Sequence, residues 1–339
     1  MKKGNVLVTG GAGYLGNVLT ARLTESGYSV KVIDSLLYKQ KVSIDLKNVE
    51  FVKVDLRNIS LLKKSLKNVE YIIHLAALVG DSICASHPQD AYEINVEVTN
   101  NLLRLANGNI KKFIYASTCS VYGYNNYIVK ENSKLNPVSF YAWTKIRAEK
   151  AVLREAENGL DALIFRTSTL YGLSQRIRFD LFVNRFIADA FFTHKLELWG
   201  GFQWRPVLHL IDAADAYISA LKKPKTRTRG QIYNLGSTDQ NYKIELIAKI
   251  IAGSIKNTKI QNIKPKDDAR NYKVNCAKIR KYLGFKTKYD IKFAIDEIVQ
   301  AFQKGNFRDY TSLKYINYLS THRNIQKDRI WERLFLSGA

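Results

Sequence analysis

The chain has 339 residues, 46% of them apolar and 24% charged, which fits a globular protein of one or two domains with no membrane span and no signal peptide. Its three cysteines lie far apart, which argues against a disulfide framework or a metal site and fits a cytoplasmic location. The net charge of +23 comes largely from scattered lysines, so we interpret it as general surface charge and attraction for an anionic substrate, not as nucleic-acid binding.

Short apolar segments alternate with helical patterns from the start of the chain. The predicted strands are 6–9, 30–34, 51–55, 71–77, 113–117 and 162–167, and the predicted helices between them are 17–26, 59–66, 92–106 and 141–157. Because alternation of this kind builds a parallel sheet with helices on both faces, we expect an α/β fold of the Rossmann-like, doubly wound type.

The pattern loosens after about residue 167. The predicted helices there are 181–192, 213–221, 244–255 and 291–302, and the predicted strands are 196–199, 207–210 and 232–235. We expect residues 1–167 to form the Rossmann domain, with segments near 207–237 returning to it. Residues 168–315 are expected to form a smaller C-terminal α/β lobe for substrate. Residues 316–339 mix charge with aromatic side chains, and no role is predicted for them.

A glycine-rich turn follows the first predicted strand. Gly10, Gly13 and Gly16 give the spacing G-x-x-G-x-x-G between a strand and a helix. Glycine permits the tight turn and the approach of a pyrophosphate, and the helix N-terminus supplies N–H donors, so a dinucleotide site is predicted. Asp34, which ends the second strand, is placed to accept hydrogen bonds from ribose hydroxyls and would repel a 2′-phosphate, which favours NAD. Asp55, after the third strand, is similarly placed to meet the adenine edge.

Tyr141 and Lys145 are four residues apart on a predicted helix and therefore share one face. A free tyrosine, with a pKa of about 10, is a poor base at neutral pH. A nearby ammonium and a positively charged nicotinamide ring favour the phenolate. Tyr141 can then exchange a proton with a substrate hydroxyl while a hydride leaves the same carbon. Thr118 closes the fifth strand, where ligands of parallel sheets bind, and adds a hydroxyl for the reacting oxygen.

Together these motifs resemble the extended short-chain dehydrogenase/reductase family, in its NAD-dependent nucleotide-sugar epimerase/dehydratase branch. The motifs, in the family's order, are TGGAGYLG (9–16), HLAA (74–77), STCSVYG (117–123), YAWTK (141–145), RTSTLYG (166–172) and WRPVLHLIDAADA (204–216). They cover residues 1 to about 300 and are specific for the family, much less so for the substrate. The resemblance implies NAD as cofactor, a nucleotide-diphosphate sugar as substrate, and a homodimer built on helices 92–106 and 141–157.

The resemblance also implies roles for individual residues. The catalytic set it implies is Thr118, Tyr141 and Lys145, with Lys145 also holding the nicotinamide ribose. The cofactor residues are Gly10, Gly13, Tyr14, Leu15, Gly16, Asp34, Asp55, Leu56, Leu75, Ala76, Ala77, Tyr141 and Lys145. Arg205 and Arg270 match arginines that grip the substrate diphosphate, a task that suits a bidentate guanidinium. The predicted substrate residues are Asp81, Thr118, Tyr141, Thr169, Arg205 and Arg270. Asn95 matches a structural asparagine within a helix.

Several positions depart from the family pattern. Cys119 and Ser120 stand where the 4,6-dehydratases carry an Asp-Glu pair, so dehydration by that route is not expected. Cys119 also lies one residue before the cysteine position of the fucose-synthase and 3,5-epimerase branches. One residue reverses the direction of a side chain at a strand end, so we interpret Cys119 as a small buried residue. Thr169 replaces an asparagine and Pro206 an aspartate, which leaves the sugar open.

What remains is redox chemistry without a base for elimination. We predict an NAD-dependent nucleotide-sugar epimerase that acts at C4 through a transient 4-keto sugar. A nucleotide-sugar 4-dehydrogenase or reductase with net redox change uses the same three residues and stays an alternative. A catalytically inactive NAD-sensing regulatory protein is an alternative of a different class, although a sensor has little need for Thr118, Tyr141 and Lys145 together.

Overall fold

A computed structural model describes residues 3–38, 49–106, 108–264 and 270–317; the predicted tail lies outside them from residue 318 onwards. The strands in these residues are β1 Asn5–Thr9, β2 Ser29–Asp34, β3 Val49–Lys53, β4 Tyr71–His74, β5 Lys112–Thr118, β6 Tyr124–Val129, β7 Ala162–Thr167, β8 Thr169–Tyr171, β9 Lys195–Trp199, β10 Trp204–His209, β11 Gln231–Leu235, β12 Asn241–Lys243, β13 Lys259–Ile263 and β14 Asn271–Val274. The α-helices are α1 Tyr14–Glu25, α2 Ile59–Ser65, α3 Asp81–Ser86, α4 Pro88–Tyr92, α5 Val98–Ala106, α6 Phe140–Glu157, α7 Phe182–Thr193, α8 Leu210–Leu221, α9 Ile244–Ser254, α10 Ala277–Leu283 and α11 Ile291–Gln303.

The largest sheet is parallel and has seven strands in the order β11-β7-β5-β4-β1-β2-β3. Side chains of a strand point alternately to the two faces, and both faces of β1 are buried. Val6 and Val8 belong to the apolar core that includes Leu19 of α1, whereas Leu7 belongs to the core that includes Val152 of α6. Helices therefore cover both faces, and the predicted Rossmann-like α/β fold is confirmed.

A second lobe is built on the later elements. Strands β12, β10 and β8 form a three-stranded sheet, and helices α7, α9 and α11 pack around a separate apolar core. Within the segment 207–237, β11 joins the edge of the large sheet and α8 packs against α1. By contrast, β10 pairs with β8 and β12, so it belongs to the smaller sheet. None of the described helices is both long and apolar enough to cross a membrane.

The turn after β1 depends on two glycines for its shape. Gly10 has a φ of +71°, in the region that side chains rarely adopt, and a Cβ there would lie 2.8 Å from the backbone nitrogen of Ala76. A Cβ on Gly16 would collide with the carbonyl oxygen of Gly10. These two glycines allow α1 and the loop after β4 to close tightly around the end of β1, which is where the functional site lies.

Candidate active site

A cavity of about 340 Å³ lies between the two lobes, at the carboxyl ends of the central strands. It sits where the strand order reverses, between β1 and β4, which is the usual ligand position in open parallel sheets. The predicted site residues that line it are Gly10, Gly13, Tyr14, Leu15, Gly16, Asp34, Asp55, Leu56, Leu75, Ala76, Ala77, Asp81, Thr118, Tyr141, Lys145, Thr169 and Arg270. The fold thus brings residues from positions 10 to 270 into one cleft.

The N-terminus of α1 faces this cavity without a cap. Gly13 is the N-cap residue, no side chain of the described residues accepts from the first turn, and that turn contains no acidic residue. Its free N–H groups and helix dipole suit the pyrophosphate of a dinucleotide, so the residues present fit NAD. Tyr14 lines the cavity but also ties the lobes together, because its hydroxyl donates to the carbonyl oxygen of Gly172 at 2.7 Å.

The two predicted adenosine carboxylates have different surroundings. Asp34 is buried, and its oxygens accept hydrogen bonds from the backbone nitrogens of Ala12 at 3.1 Å and Leu36 at 2.8 Å. Burial raises the pKa of Asp34 above its ordinary value, while these bonds oppose the rise. Asp55 is more exposed and forms an ion pair with Arg57 at 2.7 Å, which lowers the pKa of Asp55. The structure therefore places both at the cavity but fixes Asp34 beside the glycine turn.

The predicted catalytic side chains meet at the start of α6 and the end of β5. Ser139 accepts a hydrogen bond from the backbone nitrogen of Ala142 at 3.2 Å, so the helix begins directly before Tyr141. Tyr141 and Lys145 are both buried and line the cavity one turn apart. Thr118 lines it from β5.

Burial dominates the electrostatics of this group. It raises the pKa of Tyr141 above the ordinary tyrosine value, and Cys84 and Asp81 add to the rise, whereas Arg178 and Thr118 oppose it. Burial also lowers the pKa of Lys145 to about 7, against the opposing charge of Glu149. The sequence predicted a phenolate held by an ammonium. In the described residues, burial opposes the charged form of both groups, so it favours the phenol of Tyr141 and the neutral amine of Lys145. The phenolate favoured by an ammonium together with the nicotinamide ring stays a prediction.

The lysine gives a pH-dependent stability that can be measured. The free energy of unfolding of the ligand-free protein should contain a contribution that rises between pH 7 and about pH 8.5, and Lys145→Met should remove it. Across this window the unfolded chain keeps the proton, since an ordinary lysine has a pKa of about 10.4, whereas the folded protein releases it above about pH 7. Urea denaturation at both pH values measures the contribution. An identical pH dependence in wild type and variant would contradict the lowered pKa.

Asn95 supports the site from behind, within a π-helical turn at Glu93–Glu97. Its amide oxygen accepts from the backbone nitrogen of Leu78 at 2.7 Å, and its amide nitrogen donates to the hydroxyl of Thr144 at 3.0 Å. The loop after β4 is thereby tied to α6, next to Lys145. The sequence predicted one continuous helix over residues 92–106, but the structure interrupts it here to aim this side chain inward.

The two arginines predicted to grip a diphosphate have different positions. Arg270 lines the cavity and forms an ion pair with Asp81 at 2.7 Å, across the gap between the lobes. Arg205 does not line the cavity; it donates to the carbonyl oxygen of Arg270 and lies over the ring of Tyr272, 5.8 Å from its centroid. The structure therefore places Arg205 as a support for the backbone of Arg270, and its contact with a diphosphate stays a prediction.

Cys119 has the environment of a core residue. It is 1% exposed, its thiol donates to the carbonyl oxygen of Arg166 at 3.1 Å, and burial raises its pKa to about 12. A thiol in that state is a poor base or nucleophile at neutral pH. This agrees with the interpretation of Cys119 as a small buried residue.

Sequence reasoning missed Arg176 and Arg178, which line the cavity from the loop after β8 and are both buried. Tyr38, which follows β2, also lines it and lies under the guanidinium of Arg176. The available signal was the alternation Arg176-Ile177-Arg178, separated by three residues from the RTSTLYG motif, where two arginines flank an apolar residue. The sequence pattern does not indicate that both charges are buried, because their burial arises in the tertiary structure.

A Rossmann sheet, an uncapped dinucleotide turn and a buried Tyr-x-x-x-Lys pair in one cleft define an NAD-binding enzyme of the short-chain dehydrogenase/reductase type. The chain also matches the model of the NAD dependent epimerase/dehydratase family over residues 6–236. The protein belongs to that family, and its cofactor is NAD.

Individual relatives agree on the family and differ in activity. A putative UDP-glucose 4-epimerase of Methanocaldococcus jannaschii is 30% identical over 310 residues, covering 89% of this chain and 99% of the relative. A UDP-N-acetyl-alpha-D-glucosaminuronate decarboxylase of Bacillus cytotoxicus is 26% identical, covering 90% of this chain and 99% of its own. The solved structure of MoeE5 in complex with UDP-glucuronic acid and NAD is 25% identical, with a TM-score of 0.78 and coverage of 89% and 100%.

Proposed function

We propose that this protein is an NAD-dependent nucleotide-sugar epimerase that acts at C4 through a transient 4-keto sugar. The observation that carries the proposal is the meeting of Thr118, Tyr141 and Lys145 in one cavity that lacks a carboxyl group at residues 119 and 120. Cys119 is buried behind the wall, and Ser120 lines it with a hydroxyl. These two positions supply neither the acid nor the base that elimination of water requires.

The residues have separable tasks in this proposal. NAD, when bound, supplies the hydride acceptor and donor. The phenol oxygen of Tyr141 exchanges the proton of the sugar hydroxyl, and Thr118 fixes that hydroxyl by hydrogen bonding. In the proposed reaction the phenolate of Tyr141 accepts this proton as hydride leaves the sugar carbon and returns it when hydride comes back, and the ammonium of Lys145, one turn along α6, favours that phenolate. Because both groups are buried, bulk water does not compete for the proton.

The substrate we propose is a nucleotide-diphosphate sugar, and the relatives favour a uridine nucleotide. The M. jannaschii relative is named for UDP-glucose, and the MoeE5 structure contains UDP-glucuronic acid. In this chain Arg270 lies at the cavity wall, directly before Asn271, the first residue of β14. A diphosphate would replace Asp81 as its anionic partner.

The test is a panel of UDP-, GDP-, CDP- and dTDP-sugars, followed by NMR for product stereochemistry and by absorbance for NADH. An isomerised sugar at constant NAD supports the 4-epimerase. Net accumulation of NADH would instead identify a 4-dehydrogenase. Tight NAD binding with no turnover of any sugar would favour the NAD-sensing alternative.

We further propose a homodimer, by analogy with the four-helix interface of relatives. The two helices concerned, α5 and α6, pack side by side in this chain. Both also expose charged residues, among them Arg104 and Lys150. Light scattering at micromolar concentration should give twice the chain mass of 38.8 kDa, and a monomer would reject the proposal.

A further inference from the structure

Arg176 is a buried arginine with two guanidinium nitrogens that have no hydrogen-bond partner among the described residues. The residue is 6% exposed and lies at the cavity wall, yet its Nε and Nη2 atoms make no hydrogen bond within the described part of the chain. Its guanidinium is held over the ring of Tyr38, 4.8 Å from the centroid. Burial of unsatisfied N–H groups on a charge is strongly unfavourable, so this geometry calls for an anion in the cavity.

Arg176 differs in this respect from the other arginines at the wall. Each of the other three pairs with a carboxylate: Arg57 with Asp55 at 2.7 Å, Arg178 with Asp180 at 3.0 Å, and Arg270 with Asp81 at 2.7 Å. Arg176 has no ion pair among the described residues. Burial and the neighbouring Arg178 lower its pKa to about 10, so it still carries its charge at neutral pH.

The loop that carries Arg176 is fixed to the glycine turn. The hydroxyl of Tyr14 donates to the carbonyl oxygen of Gly172, and the hydroxyl of Ser174 donates to the carbonyl oxygen of Tyr14 at 2.9 Å. Arg176 and Asp34 are also close enough to affect each other's pKa. Arg176 therefore lies at the end of the cavity formed by the glycine turn and by β2, which is the cofactor end.

We propose that Arg176 binds the pyrophosphate of NAD, together with the uncapped N-terminus of α1. The pyrophosphate carries two negative charges, of which the helix dipole balances only part. A guanidinium matches the spacing of phosphate oxygens and donates through both of the N–H groups that are now unpartnered. The second lobe thereby contributes directly to holding the cofactor. This inference depends on NAD binding and not on the direction or position of the sugar chemistry.

The test is Arg176→Gln, measured without substrate. The dissociation constant for NAD, from isothermal titration calorimetry, should rise at least tenfold. The melting temperature of the NAD-free variant should be equal to or above that of wild type, because an unpaired buried charge has been removed. Arg280→Gln is the matched control, since Arg280 is exposed on α10 and does not line the cavity. Its NAD affinity should equal that of wild type.

Two results would overturn the proposal. One is an affinity for NAD that Arg176→Gln leaves unchanged. If the same variant then binds UDP-glucuronic acid more weakly but UDP-glucose as well as wild type does, the anion that Arg176 binds belongs to the substrate. The other is a large fall in the melting temperature of the NAD-free variant that Arg176→Lys does not share, which would make the guanidinium structural. Arg176→Lys should melt like wild type and bind NAD with intermediate affinity, because it keeps the charge and loses the paired donors.

Discussion

Tyr141→Phe should lower kcat by about 10²–10⁴-fold, or below detection, while NAD binding changes little. The substitution removes one oxygen, the one that exchanges a proton with the sugar hydroxyl in the proposed reaction. The ring remains packed in the small apolar cluster with Leu78, Ile83 and Cys84, so the fold of the site is preserved. Steady-state kinetics with the sugar identified by the panel gives kcat, and calorimetry gives the NAD dissociation constant.

Tyr127→Phe is the matched control for this experiment, because Tyr127 is 54% exposed on β6 and does not line the cavity. It should keep full activity. If Tyr141→Phe also keeps full activity, the catalytic assignment is wrong, whatever the fold. If activity is lost together with NAD binding, Tyr141 is needed for the cofactor and its role as acid and base is unsupported. Loss of activity with NAD bound also argues against a regulatory sensor that performs no chemistry.

The central sheet was predictable because its strands carry their own signal. Strands buried on both faces are largely apolar, as in VLV of β1 and ALIF of β7, and the glycine turn between β1 and α1 has a spacing set by steric contacts. Chemistry at the carboxyl ends of such strands follows from topology. The positions of Thr118 and Asp34 at this edge of the sheet therefore follow from the sequence pattern alone.

The strands outside the central sheet were less predictable, since they are short and partly polar. β6 is mostly exposed and pairs with β14, whose partner residues are more than a hundred positions away in sequence, as in Tyr124 and Asn271. No local pattern encodes such a pairing. The loop with Arg176 and Arg178 has the same property, because its burial depends on contacts with the glycine turn.

The electrostatics of the site could not be predicted from spacing alone. The four-residue separation of Tyr141 and Lys145 correctly places them on one helix face. It does not reveal that Lys145 is buried against the ring of Tyr115, with its ammonium 4.3 Å from the centroid. Desolvation depends on everything that surrounds a group. The pKa directions are consequently properties of the tertiary structure.

Arg166→Met should lower the free energy of unfolding by about 3–5 kcal/mol, a large part of the stability of a typical domain. Arg166 is 3% exposed and pairs with the equally buried Glu149, with 2.7 Å between Nη2 and Oε2. Glu149 also accepts from the hydroxyl of Ser117, and Arg166 donates to the hydroxyl of Tyr122 at 3.0 Å. Without the guanidinium, the carboxylate of Glu149 stays buried and keeps the hydroxyl of Ser117 as a donor, and urea denaturation at pH 7 would report the loss.

The double variant Glu149→Leu/Arg166→Met distinguishes the destabilisation caused by an unpaired buried charge from that caused by lost packing. Removing both charges leaves no ion unpaired, so the double variant should be more stable than Arg166→Met alone, although it has two substitutions. An exposed pair offers the contrast: Lys243 and Glu245 are 3.7 Å apart near the surface, and Lys243→Met should change stability several-fold less. If the double variant is as unstable as the sum of its single variants, the network acts through packing and not through charge. Because Glu149 opposes the fall in the pKa of Lys145, the double variant should also lower that pKa further, even where the fold is restored.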